Sequence, residues 1–444
     1  MTTDRISPQR RQDIIDALRR GTVPSRSLDV FAVGLESFAP TILEELDRVA
    51  GGSGVFKCVR GEYGTGKTFF ARWMQEQAKL KGFATAEVQI SETETPLHRL
   101  ETVYRRLMER LSTSDCESGA LRSIVDGWFY CLEEDVLATG GVDANDSDAL
   151  VAATDELITK RLAGISKENP AFAAALRGYR RSVADGDPSV AEGLIGWLSG
   201  LPNIGMATKR VAAIKGDIDH NGALSCLRGL LALLKDMGKP GLVLVLDEVE
   251  TLQRVRGDVR EKSLNALRQF IDEVYQGRFP GLYLVITGTP AFFDGTQGVQ
   301  RLPPLAQRLH TDFGTDARFD NPRAVQIRLS PFDRDRLTTV GIKIRDLYAQ
   351  GSKEEERVRR LVDDRYVSDL GNAVTGGLGG KVGVAPRLFL KKLVGDVLDR
   401  VDQFSDFDPR QHYKLTMNQG ELSLQEQAAI KGVDDITLED VPHV

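Results

Sequence analysis

The sequence has few cysteines, and they lie far apart. Its 444 residues contain four, at Cys58, Cys116, Cys131 and Cys226, without a C-x-x-C pair or a histidine at metal-ligand spacing, so neither a zinc site nor a disulfide framework is expected. No segment approaches the roughly 20 consecutive apolar residues of a membrane helix, and residues 1–12 lack the apolar core of a signal peptide. We therefore expect a cytoplasmic protein that does not contact a membrane.

A strong excess of one charge sign is also missing, since the formal net charge is −6. This argues against a protein whose whole surface binds nucleic acid, although a local basic patch remains compatible with it. Residues 8–20 predict a helix with such a patch, formed by Arg10, Arg11, Arg19 and Arg20. Two interpretations stay open for this helix: contact with phosphate or an acidic partner, or a plain solvated face.

Five apolar segments predict the strands of a parallel sheet, at residues 55–60, 83–91, 241–252, 282–290 and 324–332. The third is an uninterrupted apolar run, which is typical of a strand buried on both faces. Helical patterns separate the strands, so the sequence predicts an α/β fold with a five-stranded parallel sheet. The ligand site of such a sheet lies at the carboxyl ends of its strands.

The predicted organisation has five parts. Residues 1–50 form an N-terminal helical segment, and residues 51–96 and 238–332 form the α/β core. Residues 97–237 contain helical patterns but no convincing strand, so we expect a large helical insertion within the core. Residues 333–401 predict a helical lid interrupted by a glycine-rich stretch at 375–383, and residues 402–444 an acidic tail.

The first strand is followed by GEYGTGKTFF, residues 61–70. Gly61-x-x-x-x-Gly66-Lys67-Thr68 is the Walker A pattern, whose glycines let backbone N–H groups point at phosphate oxygens. We expect Lys67 to reach the β- and γ-phosphates of ATP and Thr68 to ligate Mg²⁺, while the following helix directs its positive end at the anion. The other predicted cradle residues are Glu62, Tyr63, Gly64, Thr65 and Phe69.

The third strand leads into LVLVLDE, with Asp247 and Glu248 at its tip. A carboxylate at the end of a buried strand is unfavourable unless it is paired or faces a metal, so Asp247 is predicted to be the Walker B ligand of Mg²⁺, through bound water. Glu248 is predicted to polarise the attacking water as a general base. The alternative is that Asp-Glu begins a helix, where the dipole favours acids. Phosphoryl transfer needs no covalent nucleophile, which fits the lack of a Ser-His or Cys-His arrangement.

The fourth strand ends in Thr287-Gly288-Thr289. A polar side chain at this tip, between the two Walker strands, can hydrogen-bond the attacking water or the γ-phosphate, the role called sensor 1. Thr287 is the first choice and Thr289 the second, and a plain turn after the strand is the competing interpretation.

Two arginines are further candidates for the catalytic cycle. Arg387 falls in the first turn of a predicted lid helix, where the dipole disfavours a cation, so it is predicted to serve an anion as a sensor 2 arginine. Arg308 lies near the end of a helix before the fifth strand and is predicted to be an arginine finger for a neighbouring subunit, with Arg301 as the alternative. Solvated arginines on helix surfaces are the competing interpretation.

Together these motifs resemble an AAA+ ATPase, nearest the initiator clade that includes origin-recognition proteins. A closer similarity covers most of the chain: RRQDIIDALRRGTVP, VGLE, VRGEYGTGKTFFARW, LDEVETLQR and ITGTPAFF are similar to the ATP-binding proteins of BREX phage-defence systems, the BrxD type. The resemblance implies a helicase-like partner, other defence-system proteins, and ATP-dependent work on, or signalling about, phage DNA. By analogy with the initiator clade, backbone near Val33 and Gly34 is expected to contact adenine.

The chain departs from the initiator pattern in two ways. Lys67 and Asp247 are 180 residues apart, which places the predicted helical region inside the ATPase core. Only 57 residues follow Arg387, so a complete basic winged helix for DNA is not expected, and DNA contact is expected from the insertion, the N-terminal helix or a partner.

The expected function is ATP hydrolysis, coupled to assembly of a homo-oligomer, that remodels or loads a DNA-processing partner. The alternatives are a slow nucleotide switch or scaffold of STAND type and a DNA-binding, initiator-like clamp.

Overall fold

The computed structural model describes residues 6–139, 147–377 and 385–416, and the structural statements below concern these residues. Its single sheet contains β1 (Val55–Arg60), β2 (Ala84–Gln89), β3 (Leu242–Asp247), β4 (Leu282–Gly288) and β5 (Gln326–Arg328). The strands are all parallel and lie in the order β2-β3-β4-β1-β5. The predicted α/β fold and its five strands are thus confirmed, and β4 lies between the strands that carry the two Walker motifs.

Several strands are shorter than predicted. Strand β3 stops at Asp247 because Glu248 has a left-handed backbone, with φ +59°, and a 3-10 turn at Val249–Gln253 follows. Strand β5 has only three residues, where nine were predicted. It lies at the edge of the sheet, and Pro331, which has no backbone N–H to donate, comes soon after it.

Nineteen α-helices lie within the described residues. They are α1 (Pro8–Arg19), α2 (Ala39–Ala50), α3 (Lys67–Leu80), α4 (Leu100–Arg110), α5 (Leu121–Ala138), α6 (Ser147–Glu168), α7 (Pro170–Ala184), α8 (Pro188–Leu198), α9 (Met206–Val211), α10 (His220–Asp236), α11 (Gly257–Tyr275), α12 (Pro290–Asp294), α13 (Pro303–Leu309), α14 (Arg334–Ala349), α15 (Glu355–Leu361), α16 (Asp364–Gly377), α17 (Ala385–Lys391), α18 (Asp399–Gln403) and α19 (Pro409–His412). A π-helical segment, Lys392–Leu398, joins α17 to α18. None of these helices is both long and apolar enough to cross a membrane.

Two predicted segments fall partly beyond the described residues. The glycine-rich stretch at 375–383 was predicted to interrupt the lid, but its first three residues still belong to α16. Residues 378–384 lie outside the described part of the chain, as does the acidic tail from residue 417 onward.

Alternate residues of the central strands face two different hydrophobic cores, as the period of two in a strand requires. On β3, Leu242, Leu244 and Leu246 belong to one core, whereas Val243 and Val245 belong to the other. The first core is continuous with buried residues of α4 to α8 and α10, which lie between β2 and β3 in the chain. The buried side chains of these helices and of the sheet therefore form one uninterrupted core within the described residues.

The second core joins the sheet to the helices at both ends of the described chain. Ile14, Ile15 and Leu18 of α1 are buried in it together with Leu388 and Phe389 of α17. The basic N-terminal helix is therefore packed against the lid helices.

A bidentate ion pair reinforces this contact between α1 and the lid. Arg19 donates from Nε and Nη2 to the carboxylate of Asp399, at 2.6 and 2.8 Å, and Tyr348 donates its hydroxyl to Asp399 Oδ1 at 2.9 Å. Arg11 donates to the carbonyl oxygen of Gln350 at 3.0 Å. In contrast, Arg10 and Arg20 are exposed. Two of the four arginines of the predicted basic patch, Arg11 and Arg19, therefore bind other residues of the same chain.

Neighbouring arginines at the end of α1 give a matched test of this packing. Arg19→Gln is expected to lower the free energy of unfolding by about 1 kcal/mol, because Asp399 loses its charged donor while Arg19 itself is partly exposed. Arg20→Gln is expected to leave the unfolding free energy unchanged. Urea unfolding followed by circular dichroism measures both, and equal effects of the two variants would contradict the assigned ion pair.

Candidate nucleotide-binding site

Residues 61–66 form a tight loop between β1 and α3. Gly64 and Gly66 have φ angles of +79° and +91°, which side chains rarely adopt. A Cβ atom on Gly61 would overlap the Oγ1 atom of the buried Thr65, so a larger residue there would force Thr65 to move. The loop ends where α3 begins at Lys67, and the free N–H groups of this 14-residue helix suit an anion.

A cavity of about 840 Å³ opens beside this loop, within the size range of small-molecule sites. The predicted site residues among its lining are Val33, Gly34, Tyr63, Gly64, Thr65, Gly66, Lys67, Thr68, Phe69, Asp247, Glu248 and Arg387. Gly61 and Glu62 shape the loop but do not line the cavity. The structure therefore brings most of the predicted site together.

The segment that follows α1 forms one wall of the cavity, including Val33, Gly34, Leu35 and Phe38. Side chains of α3 hold it in place. Glu76 accepts hydrogen bonds from the backbone N–H groups of Ser27 and Leu28, and Arg72 donates to the carbonyl oxygen of Val23 at 2.9 Å. This wall is largely apolar and is therefore chemically suited to an adenine base. The expected contact with adenine itself remains a prediction.

Lys67 is buried beside its own loop. Its Nζ atom donates to the carbonyl oxygens of Gly61, at 2.8 Å, and Glu62, at 3.2 Å, and lies 5.1 Å from the centre of the Tyr63 ring. It also lies 4.0 Å from Oε1 of Glu250, a buried acid that the sequence analysis missed. Burial lowers the pKa of Lys67, and the negative charge of Glu250 opposes this shift.

Asp247 lies between the two threonines that were predicted to act with it. The Thr68 hydroxyl donates to Asp247 Oδ2 at 3.1 Å, and the Thr287 hydroxyl donates to Asp247 Oδ1. Burial raises the pKa of Asp247, while the Thr287 hydrogen bond lowers it. A cation beside this carboxylate would favour its charged form.

The oxygens of Thr68 and Asp247 are the hard ligands that Mg²⁺ prefers, and they lie side by side at the cavity. Within the described residues, no cluster of three or more His, Cys, Asp or Glu side chains could hold a metal ion. Phosphate and water oxygens would therefore have to complete the coordination of Mg²⁺, as they commonly do in nucleotide sites. The residues present fit this metal.

Glu248 has an unusual backbone and a fixed side chain. Its φ of +59° is uncommon for a residue with a side chain, and such conformations cluster at functional sites. Its N–H donates to the Thr287 hydroxyl at 3.1 Å, and its carboxylate accepts from Nε2 of Gln89 at 2.8 Å. Gln89, at the end of β2, was not predicted. A polar residue at the tip of a strand beside β3 was the available signal.

Thr287 is fully buried and does not line the cavity. Its hydroxyl connects the Asp247 carboxylate to the backbone of Glu248. The hydroxyl of Thr287 is hydrogen-bonded to these two residues within the described part of the chain. Its contact with the attacking water therefore remains a prediction. Thr289 is similarly buried, with 3% of its surface exposed, and makes no hydrogen bond to either acid within the described residues.

Arg387, in the first turn of α17, lines the cavity. The sensor 2 prediction requires this position. The Arg387 side chain lies close to Gly21, since a Cβ atom added to Gly21 would be 3.4 Å from the Nη1 atom of Arg387. Arg336 lines the same cavity from the first turn of α14, with its Cζ atom 3.3 Å from the Cβ position of Gly34. Arg336 was missed, although the dipole argument that singled out Arg387 applies to it equally.

Arg308 and Arg301 do not line this cavity. The Nε atom of Arg308 pairs with Asp272, and its Nη1 atom donates to the carbonyl oxygen of Pro304 at 2.7 Å. Arg301 is exposed in a 3-10 turn at Val299–Arg301. An arginine finger contacts the nucleotide of a neighbouring subunit, and a single subunit does not show that contact. The assignment of the finger to Arg308, with Arg301 as the alternative, therefore remains a prediction.

A parallel sheet with a Walker A loop after β1 and a Walker B carboxylate at the end of β3 defines a P-loop NTPase. The chain belongs to the family of BREX system ATP-binding proteins BrxC/D, and the family model matches residues 6–417. The resemblance to ATP-binding proteins of this phage-defence system is thus confirmed. No curated protein matches the chain.

Proposed function

We propose that this protein is an AAA+ ATPase that hydrolyses ATP and uses the cycle to remodel or load a DNA-processing partner, such as a helicase, in BREX defence. The observation that supports hydrolysis is the chain of hydrogen bonds from Thr68 through Asp247 and Thr287 to the backbone of Glu248. It couples the predicted metal ligands to the predicted base, an arrangement that ATP binding alone does not require.

Each residue has a separate task in this proposal. The loop N–H groups and Lys67 bind the phosphates, and the apolar wall at Val33 and Gly34 takes the base. Thr68 and Asp247 would hold Mg²⁺, which would supply positive charge to offset that of the phosphates. Glu248 accepts a proton from the attacking water, and Arg387 stabilises the phosphates from the lid.

Phosphate release by the purified protein tests hydrolysis. We expect turnover of ATP that requires Mg²⁺ and rises when duplex DNA and the proposed helicase-like partner are added. Lys67→Ala, which removes the phosphate-binding cation, is expected to abolish this turnover. Turnover that persists in Lys67→Ala, or that is absent from the wild type under every one of these conditions, would overturn the proposal.

A slow nucleotide switch of STAND type is a second candidate, and two contacts favour it. The Glu248 carboxylate is held by Gln89, and Arg308 is held by Asp272 of its own subunit. In an isolated subunit, the proposed base Glu248 and the proposed finger Arg308 are therefore both bound by other side chains of the same chain. The switch predicts slow turnover and an unchanging size in solution, whereas the ATPase cycle predicts ATP-dependent homo-oligomers that require Arg308.

The contact between Gln89 and Glu248 gives a testable prediction. Gln89→Ala is expected to raise basal ATP turnover about threefold to tenfold, because the general base loses a hydrogen bond of about 0.7–1.4 kcal/mol that holds its carboxylate. Gln276→Ala, at an exposed glutamine after α11, serves as the control and should not change turnover. Unchanged or lower turnover in Gln89→Ala would show that Gln89 does not restrain Glu248.

A DNA-binding clamp is the third function expected from the sequence. Of the four arginines of the basic patch, Arg10 and Arg20 are the exposed ones, so replacement of these two is the appropriate test of direct DNA contact by α1. Replacement of Arg11 and Arg19 would also disturb the packing of α1 on the lid.

A further inference from the structure

The cavity contains one acidic side chain that the proposed cycle does not use. Glu250 lies in the 3-10 turn after Glu248, lines the cavity, and has 2% of its side chain exposed. Neither of its carboxylate oxygens has a hydrogen-bond partner within the described residues. A buried carboxylate without hydrogen bonds is destabilising, so each such group in a native protein requires an explanation.

The nearest cation to Glu250 is the Walker lysine. The Nζ atom of Lys67 is 4.0 Å from Oε1 of Glu250, which is beyond hydrogen-bond distance but close enough for a strong attraction inside a protein. The same ammonium donates to the carbonyl oxygens of Gly61 and Glu62. Lys67 is therefore surrounded by acceptors that belong to the protein.

Burial shifts the pKa values of Glu250 and Lys67 toward each other. Burial raises the pKa of Glu250 to about 7, and Lys67 opposes this shift, while burial lowers the pKa of Lys67. The titratable and charged groups that act on Glu250 or on its neighbours are Lys67 of α3, Glu62 and Tyr63 of the loop, Asp247 of β3, and Glu248 and Arg254 after it. An ionised Glu250 adds a further negative charge to a site that must accept phosphates.

We propose that Glu250 is a positioning residue of the ATP site, whose carboxylate competes with the nucleotide phosphates for the Lys67 ammonium and so limits nucleotide affinity. When phosphates bind, Lys67 turns toward them and Glu250 loses its nearest cation. The carboxylate then takes up a proton, because no side-chain or backbone donor of the described residues is hydrogen-bonded to its oxygens. This inference rests on nucleotide binding at the Walker A loop.

Binding of ADP with Mg²⁺, measured by isothermal titration calorimetry at about pH 6 and about pH 8, tests this role. ADP is not hydrolysed, and its own ionisation affects all variants equally. Glu250→Gln is expected to bind ADP about tenfold more tightly than the wild type at the higher pH, and about equally at the lower pH, where Glu250 is protonated. Wild-type affinity should therefore weaken with rising pH more than that of the variant.

Two controls separate charge from packing. Glu250→Asp keeps a carboxylate and is expected to retain most of the wild-type pH dependence, so behaviour identical to Glu250→Gln would overturn the proposal. Glu261→Gln removes an exposed acid of α11 and controls for net charge. Equal affinities of wild type and Glu250→Gln at both pH values would also overturn it. Failure of the wild type to bind ADP or ATP at all would instead contradict nucleotide binding at this site.

Discussion

Replacement of Glu248 by glutamine is expected to reduce ATP turnover by about 10²-fold or more while ATP remains bound. Glutamine has the same size and can still accept a hydrogen bond from Gln89, so the local structure should persist. It cannot accept a proton from water, and general-base catalysis contributes about 10²-fold to 10⁴-fold to reactions of this kind. The backbone contact to Thr287 does not involve the altered group.

Single-turnover phosphate release and equilibrium ATP binding together check this expectation. The binding constant of Glu248→Gln should match that of the wild type within a factor of about three, since Lys67 and the loop are unaltered. Glu261→Gln, which changes an exposed acid of α11, should retain wild-type turnover. A Glu248→Gln protein with wild-type turnover would assign the base to another residue and would support the interpretation of Asp-Glu as a plain helix start.

Thr287→Val is the second change with a large expected effect. Valine matches the shape of threonine but removes the hydroxyl that donates to Asp247 and accepts from the Glu248 N–H. We expect turnover to fall about tenfold to a hundredfold, because the metal ligand and the base lose their common anchor. The free energy of unfolding should also fall by about 1–3 kcal/mol, since buried polar groups lose a partner.

Thr289→Val is the matched control for Thr287→Val. Both threonines are buried at the end of the same strand, Thr287 within it and Thr289 just after it, but only Thr287 is hydrogen-bonded to the acids within the described residues. Turnover and urea unfolding of both variants decide between the two sensor 1 candidates. A larger loss of turnover in Thr289→Val would reverse the assignment, and equal small losses would favour a plain turn at this strand end.

The parts of the fold that could be predicted are those with a local cause. The all-apolar run of β3 follows from burial of that strand on both faces, and two of the Walker A glycines follow from positive φ angles that other residues rarely adopt. Asp247 was predictable because a carboxylate at a buried strand end needs a partner. Each of these arguments uses residues that are neighbours in the chain.

The parts that could not be predicted depend on residues far apart in the chain. Gln89 and Glu248 are separated by 159 residues, and no local pattern connects them. Glu250 is three residues beyond Asp247 in the chain, but its burial beside Lys67 depends on a contact between residues 183 positions apart. Residues 97–237 were predicted to be helical, but their continuous core with the sheet depends on tertiary packing, which a period in the sequence does not encode.

The contact between α1 and the lid has a consequence for synthesis of the chain on the ribosome. Arg19 and Asp399 are 380 residues apart, so α1 emerges long before its partner is made. During that interval Ile14, Ile15 and Leu18 lack the surface that buries them in the finished protein. Domains generally fold as they are translated, but this helix must wait for almost the whole chain. Its apolar face is therefore a natural contact for chaperones that bind nascent chains.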